Sequence, residues 1–125
     1  MKSPGMMKNR LEKDVIKSVL IGLRIRQLQG EVVWFSRLNS GSIHGDGYHV
    51  KLCDPGTPDI IVAVRHNQGA KLLFLECKRE GINKLETEQE VFFKRMEGVK
   101  GVYCKLINDE KQLTGIIYGI LQRVD

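Results

Sequence analysis

The sequence predicts an α/β fold: a mixed central sheet flanked by helices, in the order α-β-β-β-β-α-β-α. Three observations predict it. Apolar residues recur at helical spacing early in the chain, at Leu11, Val15, Ile16, Val19, Leu20 and Leu23. Short runs rich in β-branched and aromatic residues follow, divided by turns bearing glycine and proline. Hairpin-like connections come early and a helix-length segment parts the last two strands, so antiparallel and parallel pairing share one sheet.

The elements read in order as follows. Residues 1–7 carry no pattern and are expected to fray. The apolar stripe makes residues 8–28 an amphipathic helix, which Gly30 ends. Glu31 to Phe35 is a short strand. Arg37 to Gly47 is polar and rich in glycine, a long loop of the kind that often carries function. Tyr48 to Leu52 is a second strand and Cys53 to Pro58 a turn. Asp59 to Val64 is a buried strand, His66 to Gly69 a turn, and Leu72 to Lys78 the most apolar strand. Asn83 and Glu86 have the spacing of a capping pair for a helix with Leu85, Phe92, Phe93 and Met96 on one face, ending near Gly98. Val102 to Ile107 is the last strand. Asn108 is positioned to cap a final helix bearing Leu113, Ile116, Ile117, Ile120 and Leu121.

A chain of 125 residues suffices for one sheet with a few helices, so residues 1–125 read as a single domain. The 42% hydrophobic content is that of a folded chain, and no low-complexity tract argues otherwise. No apolar run approaches the roughly 20 residues of a membrane span. Met1 to Arg10 is basic but lacks the apolar centre of a signal peptide. The expected compartment is the cytoplasm, with no membrane partner. Cys53, Cys77 and Cys104 are an odd count with no C-x-x-C pair, which disfavours a disulfide framework or a common zinc site. His44, His49 and Cys53 match no usual zinc spacing. The net charge of +5 fits a polyanionic partner.

Three carboxylates stand where apolar side chains are expected. Asp59 opens a buried strand after Pro58, Glu76 lies inside an apolar strand, and Glu12 lies beside the helical stripe. An unpaired buried carboxylate costs several kcal/mol, so such groups call for a cation or a proton. Period two puts Phe74, Glu76 and Lys78 on one face of their strand. If Asp59 starts the neighbouring strand, it meets Glu76 across the ladder. Oxygen ligands of this kind favour magnesium or manganese over zinc. Taken singly, each residue has a plain structural role open to it: Glu76 and Lys78 as a surface ion pair, Asp59 as a turn cap. Gln89 interrupts the apolar stripe of its helix and needs polar partners. Arg37, Asn39, Ser40 and Lys84 are candidate contacts to nucleic-acid phosphates.

Gly56-Thr57-Pro58-Asp59-Ile60-Ile61-Val62, Leu75-Glu76-Cys77-Lys78 and Leu85 to Gln89 together resemble the VRR-NUC branch of the PD-(D/E)XK nucleases. The likeness runs from Glu12 to about Tyr103. The valine-arginine-arginine run of the family name is absent, although Val64-Arg65 follows the first motif. The resemblance implies a restriction-endonuclease-like fold and hydrolysis of DNA phosphodiesters with Mg2+, Mn2+ substituting. It implies that Asp59, Glu76, Glu12 and the Cys77 carbonyl bind metal, that Lys78 orients or activates the attacking water, and that Gln89 is the helix glutamine of the site. Asn39-Ser40-Gly41 resembles a loop that approaches the scissile strand. Short members of the branch are similar to phage-encoded homodimers that cut branched DNA such as Holliday junctions, which implies a bacterial or phage-infected cell. The expected dimer surface is the apolar face of the last helix, with Ile116, Ile117, Ile120 and Leu121, or the edge of the Val32 to Phe35 strand. A flap or general nuclease, a restriction-type enzyme and a non-catalytic nucleic-acid-binding domain are the alternatives.

Overall fold

The computed structural model of the protein describes residues 10–38 and 41–123. The elements are α1 (Glu12–Leu28), β1 (Val32–Arg37), β2 (Ser42–Gly45), β3 (Tyr48–Lys51), β4 (Ile60–His66), β5 (Gly69–Cys77), α2 (Thr87–Met96), β6 (Val102–Ile107) and α3 (Leu113–Leu121), with a 3₁₀ turn at Glu110–Gln112 before α3. Four strands form the main sheet in the order β1-β4-β5-β6. β1, β4 and β5 run antiparallel, and β6 runs parallel to β5 after the α2 crossover. The sheet is therefore mixed and flanked by helices, as the sequence predicts.

Each face of the sheet is specified by alternation. Ile60, Val62 and Val64 of β4 and Leu73, Leu75 and Cys77 of β5 are fully buried with Val15, Val19 and Leu23 of α1 and Leu113, Ile117 and Ile120 of α3. The register pairs Ile60 with Leu75 and Val62 with Leu73, so these side chains share a face. The intervening residues of β5 look the other way, where Phe74 meets Phe92 of α2 edge-on with ring centres 5.3 Å apart. α1 ends as its sequence suggests. Gly30 adopts φ 84, the Gly30 N–H donates to the Gln27 carbonyl, and the Glu31 N–H to that of Arg26.

Four expectations are corrected. The stretch 37–47 is not one loop, because β2 and β3 form a separate two-stranded hairpin around Asp46-Gly47 and add a fifth strand before α2. Asp-Gly between short strands is a hairpin signal, and it outweighs the polarity of the segment. α2 starts at Thr87 rather than near Asn83, since Gln89 Oε1 accepts the N–H of Glu86 and so fixes the first turn there. Asp109, not Asn108, caps the turn into α3, its Oδ1 accepting from the Lys111 N–H. The apolar face of α3 is spent mostly on the core, with Ile117 and Ile120 each 1% exposed and Ile116 and Leu121 partly buried against it, so it is not a spare apolar surface. Asn39, Ser40 and the first seven residues lie outside the described residues. Among the described residues, no helix is long and apolar enough to cross a membrane.

Candidate metal and catalytic centre

Three chain segments converge at one end of the sheet. The β4–β5 register runs from His66↔Gly69 to Ile60↔Leu75, and one further step sets Asp59 opposite Glu76. Gly56 prepares that step. Its φ is 85, and a Cβ there would stand 2.2 Å from the Glu88 carbonyl oxygen of α2. Only glycine lets the turn before Asp59 lie against the first turn of α2. The Asp59 carboxylate accepts the Cys77 N–H at 2.8 Å. The N–H and C=O of one strand residue share an edge, so the Cys77 carbonyl faces Asp59 as well.

Glu12 is the first residue of α1. Its carboxylate, with those of Asp59 and Glu76, makes a trio whose oxygens all lie within 4.8 Å of one another. Among the described residues this is the one group of three or more acidic, His or Cys side chains positioned for a metal ion. The His44 and His49 rings stack at 4.2 Å on the exposed hairpin, and Cys53 does not join them in such a group.

The electrostatics follow from crowding. Glu76 is 3% exposed, and burial, then the charge and hydrogen bond of Asp59, push its carboxyl up to about 8. Lys78 opposes that rise without cancelling it. Glu12 is exposed as a residue, yet partial loss of water and the Asp59 charge raise its carboxyl too. Without a cation, the trio therefore keeps a proton near neutral pH. Burial raises the Cys77 thiol far above its ordinary range, which leaves it an inert core residue whose backbone alone serves the site.

Lys78 follows the last residue of β5 and is buried. Its N–H donates to the Ile107 carbonyl at 2.9 Å. Its ammonium donates to Gln89 Oε1 at 2.7 Å. This contact, with the Glu86 N–H, supplies the partners that a glutamine inside an apolar stripe needs. Arg37 ends β1 opposite Ile60, next to Asp59, and its charge lowers the Glu12 carboxyl. The Leu38 N–H donates to the Asp59 carbonyl at 2.7 Å. Lys84 stays in solvent on the connection from β5 to α2. The structure thus joins Glu12, Asp59, Glu76, Cys77, Lys78, Gln89 and Arg37, and leaves Lys84 apart. Sequence reasoning missed Arg10, whose partners lie 70 and 100 residues along the chain.

No family description, no curated protein and no solved structure matches the chain.

Proposed function

We propose that the chain is a divalent-metal-dependent DNA endonuclease of the PD-(D/E)XK type. The observation that carries this reading is the Glu12-Asp59-Glu76 trio beside a buried lysine. The donor set fits a hard cation such as Mg2+ or Mn2+: all side-chain ligands are carboxylate oxygens, and the excess proton marks a charge balance that a cation would correct. Glu12, Asp59, Glu76 and the Cys77 carbonyl would hold it. When bound, the ion supplies Lewis acidity and offsets negative charge on the phosphate.

The remaining work falls to the chain. Lys78, aimed by Gln89, orients the attacking water and stabilises the phosphate oxygens as their charge grows. Water adds to phosphorus in line with the leaving sugar oxygen, so one P–O bond forms as another breaks. Arg37 beside Asp59 and Lys84 on the adjoining connection are suited to flanking phosphates. The net charge of +5 supports a polyanionic substrate.

We extend the reading to branched DNA cut by a homodimer, one site per strand. The exposed Val33 and Trp34 on edge strand β1 are the surface for the second copy. The test is cleavage of four-way junction, flap, single-stranded and linear duplex DNA with Mg2+, Mn2+ or chelator. The expected result is metal-dependent cutting, fastest on the junction and abolished in Asp59→Ala. Metal-independent cutting, or full activity in that variant, refutes the nuclease reading. Faster cutting of linear duplex, or a monomer by light scattering at micromolar concentration, removes the junction-cutting dimer alone.

A further inference from the structure

The first turn of α1 has an unusual task. Its first residue, Glu12, faces two other carboxylates that repel it, and its cap residue, Leu11, makes no side-chain capping bond. Helix ends fray within their first turn, where backbone N–H groups lack intrahelical partners. Left to itself, this end would relieve the repulsion by turning Glu12 into solvent.

Arg10, two residues earlier, works against that. Its Nε donates to Glu80 at 2.8 Å and its Nη1 to Glu110 at 2.6 Å. Its Nη2 lies 3.3 Å from Asp109. Its carbonyl accepts the Glu80 N–H at 3.0 Å. Glu80 stands two residues after Lys78, and Asp109 and Glu110 stand just after β6. One planar guanidinium therefore binds the start of α1 to the segments that leave both strands at the site end of the sheet. Partly exposed ion pairs add little stability singly. A fork held by three acids and a backbone bond fixes geometry instead.

We propose that Arg10 is a positioning residue for the metal centre: it clasps the start of α1 to Glu80, Asp109 and Glu110 and so holds the Glu12 carboxylate against Asp59 and Glu76. This rests on the metal reading above. Arg10 touches neither the ion nor the substrate. It acts through Glu12, and partners that orient ligands in this way typically carry about 10- to 100-fold of metal affinity.

The test is Mn2+ binding to the full chain, followed by electron paramagnetic resonance, which needs no DNA and no turnover. Arg10→Gln should weaken Mn2+ about tenfold, Arg10→Lys should recover part of that, and Arg10→Gln with Glu12→Gln should bind no more weakly than Glu12→Gln alone. Joint replacement Glu80→Gln, Asp109→Asn and Glu110→Gln removes the three acid partners without touching α1, and it should reproduce the Arg10→Gln loss even if Arg10→Gln itself folds poorly. Wild-type affinity in this partner variant overturns the clasp, as does a double variant whose losses simply multiply. Wild-type protein that takes up no Mn2+ overturns the metal reading and the clasp with it. Normal Mn2+ binding in wild type with unchanged Arg10→Gln sinks the clasp alone.

Discussion

Strand β5 has a buried lysine near each end, Lys71 inside its start and Lys78 just past its last residue, and the two have different surroundings. Lys71 is 4% exposed and Lys78 is 8% exposed. Lys71 lies on the core face and donates to the carbonyls of Ile120 at 3.0 Å and Arg123 at 2.7 Å, with the Tyr103 ring 5.6 Å away. Those carbonyls close α3, where the helix dipole favours a cation. Lys78 lies on the opposite face beside the carboxylate trio, held by the neutral amide of Gln89. An amide aims the ammonium without neutralising it. Burial of a charge therefore does not by itself mark a reactive centre. The surroundings do: both ammoniums rest on neutral amide oxygens, but those of Lys71 close a helix, whereas Lys78 stands beside the carboxylate trio and, on the proposed reading, is available to a phosphate.

The largest test of this contrast is Lys78→Ala. Cleavage is expected to fall by roughly two or more orders of magnitude, the scale for a group acting in the transition state. Folding and DNA binding should persist. Single-turnover cleavage beside a DNA-binding titration measures it, and near-normal turnover would place Lys78 with Lys71 as a fold residue.

The next effect is electrostatic. The folded state holds the Glu76 proton up to about 8, against an ordinary value of 4.5. A raised pKa means the folded form binds the proton more tightly than the unfolded form does. Its contribution is complete below about pH 4.5 and is lost as pH rises toward about 8. Metal-free protein should thus lose on the order of a few kcal/mol across that window. Glu76→Gln should flatten the profile, and added Mn2+ at pH 8 should restore wild-type stability by binding the folded form. A flat metal-free profile in wild type would show that the trio is not strained by its own charge.

Lys71→Met sharpens the comparison from the other side. It keeps most of the side-chain volume and removes the ammonium, leaving the end of α3 uncapped. Chemical denaturation should show a loss of about 1–3 kcal/mol, with cleavage per folded molecule unchanged. Loss of activity at full stability would contradict the assignment of Lys71 to the fold.

Much of this arrangement was legible because local pattern carried it. The last strand is Val102–Ile107 as read, and the alternation Phe74-Glu76-Lys78 against Leu73-Leu75-Cys77 assigned both faces of β5. Pro58-Asp59 marked the start of β4 within one residue. What stayed hidden depends on long-range partners. Lys71 carries no local signal of its buried role, since its carbonyl partners lie 49 and 52 residues away. Arg10 likewise shows no pattern next to its acids. The α3 stripe looked like spare apolar surface because periodicity reports a buried face without saying what covers it. Of the hairpin, β3 is legible as Tyr48 to Leu52, whereas β2 is not, because Ile43 alone is strand-forming among Ser42, His44 and Gly45.

Gln89 joins two roles that can be separated. Its Oε1 accepts from Lys78 Nζ at 2.7 Å and from the Glu86 N–H at 2.9 Å, so one atom aims the lysine and fastens the start of α2. Gln89→Leu removes both bonds. It should lower stability by about 1 kcal/mol, the usual worth of a helix cap, and reduce cleavage by about tenfold. Gln89→Glu keeps an acceptor for Glu86 but sets a full negative charge on Lys78. Stability should then hold while cleavage still falls, because an ion-paired ammonium is less available to the phosphate. Melting curves and single-turnover rates on the two variants decide the matter. If Gln89→Glu cuts normally and Gln89→Leu loses only stability, then the glutamine serves the helix as the α3 carbonyls serve Lys71, and Lys78 needs no aiming amide.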